Sequence, residues 1–281
     1  MYDFSIGIIV DSFRLPIPEA VKKAAEVGAK GIQVYSTRGE MAPENLNTAA
    51  RNEFKKLVAD CGLQISALCG DLGGGGFVHP EQNEERIEKS KRILDLAKEL
   101  GTDVVTTHIG VVPNDKNHDR FKIMQDACGQ LAEYADSIGA HFAVETGPET
   151  SETLKMFLDS LGSRGVGVNL DPANLVMVTG DNPANAVYNL RDYIVHTHAK
   201  DGVQNFYVDP DMVYGMVPKS GLPEGDSFTE VPLGEGSVPW PEYLKALDDI
   251  GYHGFLTIER EVGDDPARDI IKAVNFLKGL M

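Results

Sequence analysis

The sequence predicts an α/β protein folded as one closed (β/α)8 barrel over residues 1–281, with a long loop after the seventh strand. Three observations carry this. Eight short apolar runs alternate with longer helical patterns from one end of the chain to the other. The runs recur every 25–40 residues or so, roughly the length of one strand–helix unit. They are continuously apolar rather than alternating, as strands of a parallel sheet covered on both faces should be. A doubly wound open sheet is the competing arrangement, but no G-x-G-x-x-G follows the first run.

The first strand is "FSIGIIV" (4–10), followed by the helical "PEAVKKAAEVG" with Pro near its start and Gly after its end. "GIQVYS" (31–36) leads to a helix that opens at Asn47 or Thr48 and stops at Gly62. After "QISALC" (64–69), "DLGGGG" (71–76) reads as a flexible loop or lid, because no helix starts within it. "NEERIEKSKRILDLAKELG" then spaces Ile87, Ile93, Leu94, Ala97 and Leu100 along one helical face. "DVVTTHIG" (103–110) precedes the helical "FKIMQDACGQLAEYADSIG", and "HFAVET" (141–146) precedes "SETLKMFLDSLG", with Ser151 as its expected cap. "GVGVNLD" (165–171) and "YIVHTHAK" (193–200) are strands six and seven; no helical segment is singled out between them. Residues 201–238 form the long loop, which in a barrel lies on the C-terminal face. "WPEYLKALDDIG", the eighth strand "FLTIERE" (255–261) and "DPARDIIKAVNFLKGL" complete the series.

The bulk numbers narrow the class. The 281 residues carry 26 basic and 43 acidic side chains, a formal net charge of −17. Such a surface repels phosphate backbones and anionic membranes, so neither nucleic acid nor membrane is an expected partner. No apolar run is long enough to span a bilayer, and "MYDFSIGIIVDSF" is not a signal peptide. The three cysteines, Cys61, Cys69 and Cys128, match no metal motif and are read as free thiols of a cytoplasmic protein.

The chemistry concentrates at the ends of the later strands. Strand five ends at Glu145, strand six at Asp171, strand seven at His196 and His198, and strand eight at Glu259. In a barrel these ends share one rim. Three carboxylates and an imidazole on neighbouring strands suit one divalent ion, Mn²⁺ first, then Mg²⁺, Co²⁺ or Zn²⁺, and crowded like charges need a cation or a shared proton.

"VETG", "VNLDPANL", "HTHAKDG", "PLGEGSVPW" and "LTIERE" together resemble the xylose-isomerase-like barrel superfamily of sugar and sugar-phosphate isomerases and epimerases, with endonuclease IV a more distant relative. The resemblance covers nearly the whole chain in strand order. It implies Glu145, Asp171, His198 and Glu259 as metal ligands, with His198 chosen over His196 because it immediately precedes Ala199–Lys200–Asp201. It implies proton transfer next to a sugar carbonyl through an enediolate, with Glu145 and Glu259 as the acid/base pair on opposite faces of the substrate. His108 and Lys200 are expected to contact substrate, Lys200 having a salt bridge to Asp201 as its alternative. Asn174, Arg260 and Trp240 complete the candidate substrate set, with a structural ion pair as the alternative for Arg260 and a helix anchor for Trp240. His196 is either a hydrogen-bonded core residue or a support for the ligands, and Glu261 either supports them or is solvated.

Departures refine the reading. Endonuclease IV-like enzymes carry a metal-binding histidine where this chain has Asn174, and "PLGEGSVPW" lacks their Asp-x-His. Ketohexose 3-epimerases also place a histidine at that first position, and an arginine where this chain has Gln204. The expected activity is therefore a metal-dependent isomerase or epimerase of a small sugar, sugar phosphate or keto-polyol. The alternative is a metal-dependent lyase or dehydratase on a keto-sugar or keto-inositol, and an endonuclease IV-like phosphodiesterase is the third and least expected reading. A homo-oligomer is compatible with the sequence, which fixes no oligomeric state.

Overall fold

A computed structural model describes residues 2–281. Eight parallel strands close into a barrel, β1 (Ser5–Ile9), β2 (Gly31–Tyr35), β3 (Gln64–Cys69), β4 (Val104–Thr107), β5 (His141–Glu145), β6 (Val166–Leu170), β7 (Ile194–Ala199) and β10 (Phe255–Ile258), and β1 pairs with β10 to complete the ring. Except for β3, each strand is shorter than its apolar run by one to three residues at the C-terminal end, where the chain leaves the ladder to form the rim.

Helices α1 (Ile17–Val27), α2 (Thr48–Asp60), α3 (Pro80–Leu100), α4 (Asp119–Ser137) and α5 (Ser151–Asp159) follow the first five strands. The punctuation works locally. Gly28 and Gly101 close α1 and α3 at φ 95° and 93°, a region in which a side chain would be strained. The Asn47 side chain caps α2 by accepting from Ala50 N. The cap of α5 is Thr150, whose hydroxyl accepts from Thr153 N, one residue before the expected Ser151.

After β6 come the short turn α6 (Pro172–Asn174), a π-helical turn Leu175–Thr179, and α7 (Pro183–Leu190). Sequence periodicity missed α7 because it is only eight residues long. Its start signal is present, however: Asn182 caps Ala184 N and Asn185 N, and Pro183 occupies the first turn. The long segment after β7 is not a plain loop. It holds β8 (Asp201–Gln204), the turn α8 (Pro210–Val213) and β9 (Phe228–Val231), and β8 pairs antiparallel with β9 as a ribbon over the C-terminal face. α9 (Trp240–Asp249) and α10 (Pro266–Leu280) finish the helical ring. Among the described residues no helix is long and apolar enough to cross a membrane.

The aliphatic core lies mainly between the strands and the helices. Inside the barrel, below the rim, Gln33, Thr106, Asn169, His196 and Thr257 are all buried. That polar layer replaces the branched aliphatics usual in a barrel interior.

Candidate active site

The C-terminal ends of β5, β6, β7 and β10 meet at the rim, and the donor atoms of Glu145, Asp171, His198 and Glu259, each at or within one residue of a strand end, lie within 4.8 Å of one another. All four side chains are buried. His198 Nδ1 sits centrally, 3.5 Å from Glu145 Oε1, 3.4 Å from Asp171 Oδ2 and 3.5 Å from Glu259 Oε2. Burial pushes the His198 imidazolium toward losing its proton, but the charges of Glu145 and Glu259 outweigh this and hold its pKa well above the ordinary value.

The layer beneath fixes these groups. Gln33 donates from Nε2 to Thr106 Oγ1 at 2.8 Å, which turns its Oε1 toward His198 Nε2 at 3.0 Å. This places one ring proton on Nε2, so that a bound cation, displacing the second proton, would meet the Nδ1 lone pair among the carboxylates. Asn169 donates to Glu145 Oε2 at 3.2 Å, and Asn174 donates to Glu145 Oε1 at 3.1 Å. Asn169 Oδ1 in turn accepts from His196 Nδ1 at 2.8 Å, while Thr257 Oγ1 lies 3.0 Å from His196 Nε2. Burial, with His198 nearby, lowers the His196 pKa to about 3, so this ring is neutral. Both sequence readings of His196 hold together: it is a hydrogen-bonded core residue, and it supports the group that holds Glu145.

The donor set fits a divalent ion. Asp171 Oδ1 caps the next turn by accepting from Asn174 N at 2.9 Å, yet its Oδ2 is buried without a hydrogen-bond partner. A buried carboxylate oxygen that has only the His198 ring, 3.4 Å away, to offset it, where two more carboxylates converge, is costly unless further positive charge is bound there. The oxygen-rich, thiolate-free set matches manganese or magnesium better than a structural zinc site.

The flanking groups divide. Lys200 is buried and donates to Glu259 Oε2 at 3.0 Å and to Glu261, not to Asp201. Asp201 faces away and accepts from Gly234 N, Val238 N and Trp240 Nε1. Trp240 is thus sealed under the ribbon as a helix anchor and is absent from the cavity wall, so the substrate role considered for it is withdrawn. Arg260 is withdrawn for a similar reason. Strand alternation turns it away from Glu259 and Glu261, and it donates to Glu230 Oε1 at 2.6 Å and Asp269 Oδ2 at 3.0 Å, joining β9 to α10. His108 does reach the site, with Nε2 3.8 Å from Glu145 Oε1 and Nδ1 buried and unpartnered. Gln204 points elsewhere, donating to the carbonyls of Met177 and Val178. Gln33 and Asn169 went unnoticed in the sequence; the only signal was a polar residue inside an apolar run.

Above the four donors opens a cavity of about 720 Å³. His108, Asn174 and Lys200 line its polar floor, and Tyr214, Phe206 and Phe228 of the ribbon segment form its apolar roof. The two glutamates differ. Glu145 is pulled below the ordinary carboxylate range because His198 and His108 outweigh its burial, while burial raises Glu259 in spite of Lys200 and His198.

Known proteins resemble this chain in sequence and in fold. The inosose dehydratase of Clostridium beijerinckii is 25% identical over 266 residues, covering 89% of this chain and 83% of that protein. The fructoselysine 3-epimerase of Escherichia coli O157:H7 is 23% identical over 260 residues, covering 88% and 86%. The crystal structure of a xylose isomerase domain protein from Planctomyces limnophilus superposes with a TM-score of 0.79 at 24% identity, covering 99% of this chain and 96% of that one. The family model described as xylose isomerase-like TIM barrel matches residues 21–280, so the chain belongs to the xylose isomerase-like TIM-barrel family.

Proposed function

We propose that this protein is a divalent-metal-dependent isomerase or epimerase of a small carbohydrate, sugar phosphate or keto-polyol, in which Glu145 and Glu259 exchange a proton next to the substrate carbonyl. The observation that carries the reading is the convergence of Glu145, Asp171, His198 and Glu259 on one point with Asp171 Oδ2 left unpartnered. The epimerase relative supports it. Manganese is the first expectation for the ion, followed by magnesium, cobalt and zinc. When bound, the ion supplies Lewis acidity to a substrate carbonyl and its neighbouring hydroxyl.

The chain's own residues supply the rest. Asn169 and Asn174 hold both oxygens of Glu145, so its carboxylate is preorganised to take a carbon-bound proton from one side of the cavity floor. Glu259 stands against Lys200, which offsets its charge, and returns a proton from the other side. His108, Asn174 and Lys200 offer polar contacts to substrate oxygens. The free cysteines agree with a cytoplasmic setting.

The inosose dehydratase relative favours a second reading, in which the same proton abstraction ends in loss of water rather than reprotonation. Both are tested by loading the protein with Mn²⁺ and following solvent-deuterium uptake into keto-sugars and polyol ketones by NMR. Metal-dependent uptake that falls about 10²–10⁴-fold in Glu145→Gln and Glu259→Gln supports the proton-transfer step. A rearranged product identifies the isomerase, and an unsaturated or dehydrated one the lyase. Failure to retain one ion per chain after reloading defeats both.

A further inference from the structure

A second cavity, of about 600 Å³, abuts the catalytic one, and Tyr35 and Asp71 line both. Its walls hold four cationic side chains, Arg38, Arg86, Lys89 and Arg92, against the anionic Glu44, Asp71 and Glu85, in a chain whose total charge is −17. Lys89 and Glu85 neutralise each other at 2.6 Å. Arg38, Arg86 and Arg92 form no salt bridge among the described residues, whereas Arg51, Arg120 and Arg260 each engage a carboxylate. The Arg86 guanidinium makes only a long contact, 3.4 Å, to Gly74 O. With Lys89 and Glu85 paired, three guanidinium groups, those of Arg38 and Arg92 exposed and that of Arg86 half-buried, stand against Glu44 and Asp71 and leave the walls one positive charge in excess, in a strongly acidic protein. Guanidinium groups pair in bidentate fashion with phosphate and carboxylate oxygens.

We propose that the Arg38–Arg86–Arg92 cavity binds an anionic group, phosphate or carboxylate, carried by the substrate at the end remote from the carbons that react at Glu145 and Glu259. The proposal rests on the proton-transfer reading of the neighbouring site and narrows its substrate to an acidic keto-sugar or keto-polyol. Tyr35 and Asp71, shared by the two cavities, mark where the connecting part of such a molecule passes.

The test uses the full-length, Mn²⁺-loaded protein and solvent-deuterium uptake into matched pairs: D-fructose with D-fructose 6-phosphate, D-tagatose with its 6-phosphate, and ketoses with ketouronates. The acidic member of a pair should show a KM lower by about tenfold or more. Arg86→Ala/Arg92→Ala should erase that preference through KM with kcat retained, and Arg86→Lys/Arg92→Lys should restore part of it. Preference for the neutral sugars, or a preference that survives the alanine pair, overturns the proposal. Inorganic phosphate, titrated by ³¹P NMR, distinguishes a free anion: arginine-dependent binding that does not compete with substrate assigns the cavity to a separate ligand and overturns the substrate role. If no sugar exchanges deuterium at all, the failure is that of the proton-transfer reading; phosphate binding unaffected by the arginine substitutions would then reject the cavity as an anion site in its own right.

Discussion

Asp171→Asn separates the metal reading from a purely structural one. Asp171 does two things: Oδ1 caps the following turn by accepting from Asn174 N, and Oδ2 faces the other donors without a partner. Asparagine is as good a cap as aspartate, so the substitution keeps the first role and removes the negative charge from the second. In the wild type, an ion present at a hundred times its Kd should stabilise the fold by about 2.7 kcal/mol. For chains of this size each kcal/mol raises Tm by roughly 2 °C, so addition of Mn²⁺ to chelator-stripped protein should raise Tm by about 5 °C. Asp171→Asn should melt within about 2 °C of the stripped wild type but lose most of the metal-dependent rise at the same Mn²⁺ concentration. Differential scanning calorimetry with Mn²⁺ titrated from micromolar to millimolar reads both quantities. No rise in the wild type, or the same rise in Asp171→Asn and His198→Ala, would refute the argument that these atoms form the ion site.

Other substitutions probe the supports. Gln33→Leu removes the acceptor that holds His198 Nε2 and should weaken metal binding by about 10–100-fold while the barrel stays folded; an unchanged Kd by calorimetric titration would show that the contact is incidental. Arg260→Ala leaves Glu230 and Asp269 without their shared buried partner and should cost about 3–5 kcal/mol in urea unfolding, with a loss under 1 kcal/mol counting against the clamp. Burial raises the Glu149 carboxyl from an ordinary 4.5 to about 8, partly offset by Val112 N and Arg120. A raised carboxyl pKa favours folding most below the unfolded value, so stability should fall as pH rises between about 4.5 and 8, by at most roughly 5 kcal/mol. Glu149→Gln should flatten this slope; a wild-type stability that stays level or climbs across that window would overturn the assignment.

The barrel was legible because its strands are buried on both faces, and the site because the last four runs end in residues of a different chemistry. Glu145, Asp171, His198 and Glu259 stood out as polar ends on apolar strands, and strand closure brings them together. Two kinds of feature escaped. α7 was hidden by its eight-residue length, which gives periodicity little to repeat, although Asn182–Pro183 announced its start. The orientation of the residues after β7 and β10 was only partly readable. Alternation correctly put Arg260 opposite Glu259, but nothing local showed that Asp201 would serve Trp240 and the ribbon backbone rather than Lys200. Such pairings depend on how residues distant in sequence meet, and the β8–β9 ribbon that decides them is signalled by neither length nor periodicity.

The polar layer inside the barrel gives an independent reason to place function at this rim. Burying Gln33, Thr106, Asn169, His196 and Thr257 where aliphatic side chains would pack forfeits apolar burial and is tolerable only if the polar atoms find partners. They do: the contacts run from Thr257 through His196 and Asn169 to Glu145, and from Thr106 through Gln33 to His198. None of these five side chains has an unpartnered buried polar atom, whereas Asp171 Oδ2, in the donor cluster, and His108 Nδ1, beside the cavity, do. A layer needed only for stability would have no reason to end on two groups of one site. Its chains of contacts terminate on the carboxylate and the imidazole that face the unpaired oxygen of Asp171, so the network makes physical sense as the device that fixes those two groups for a ligand.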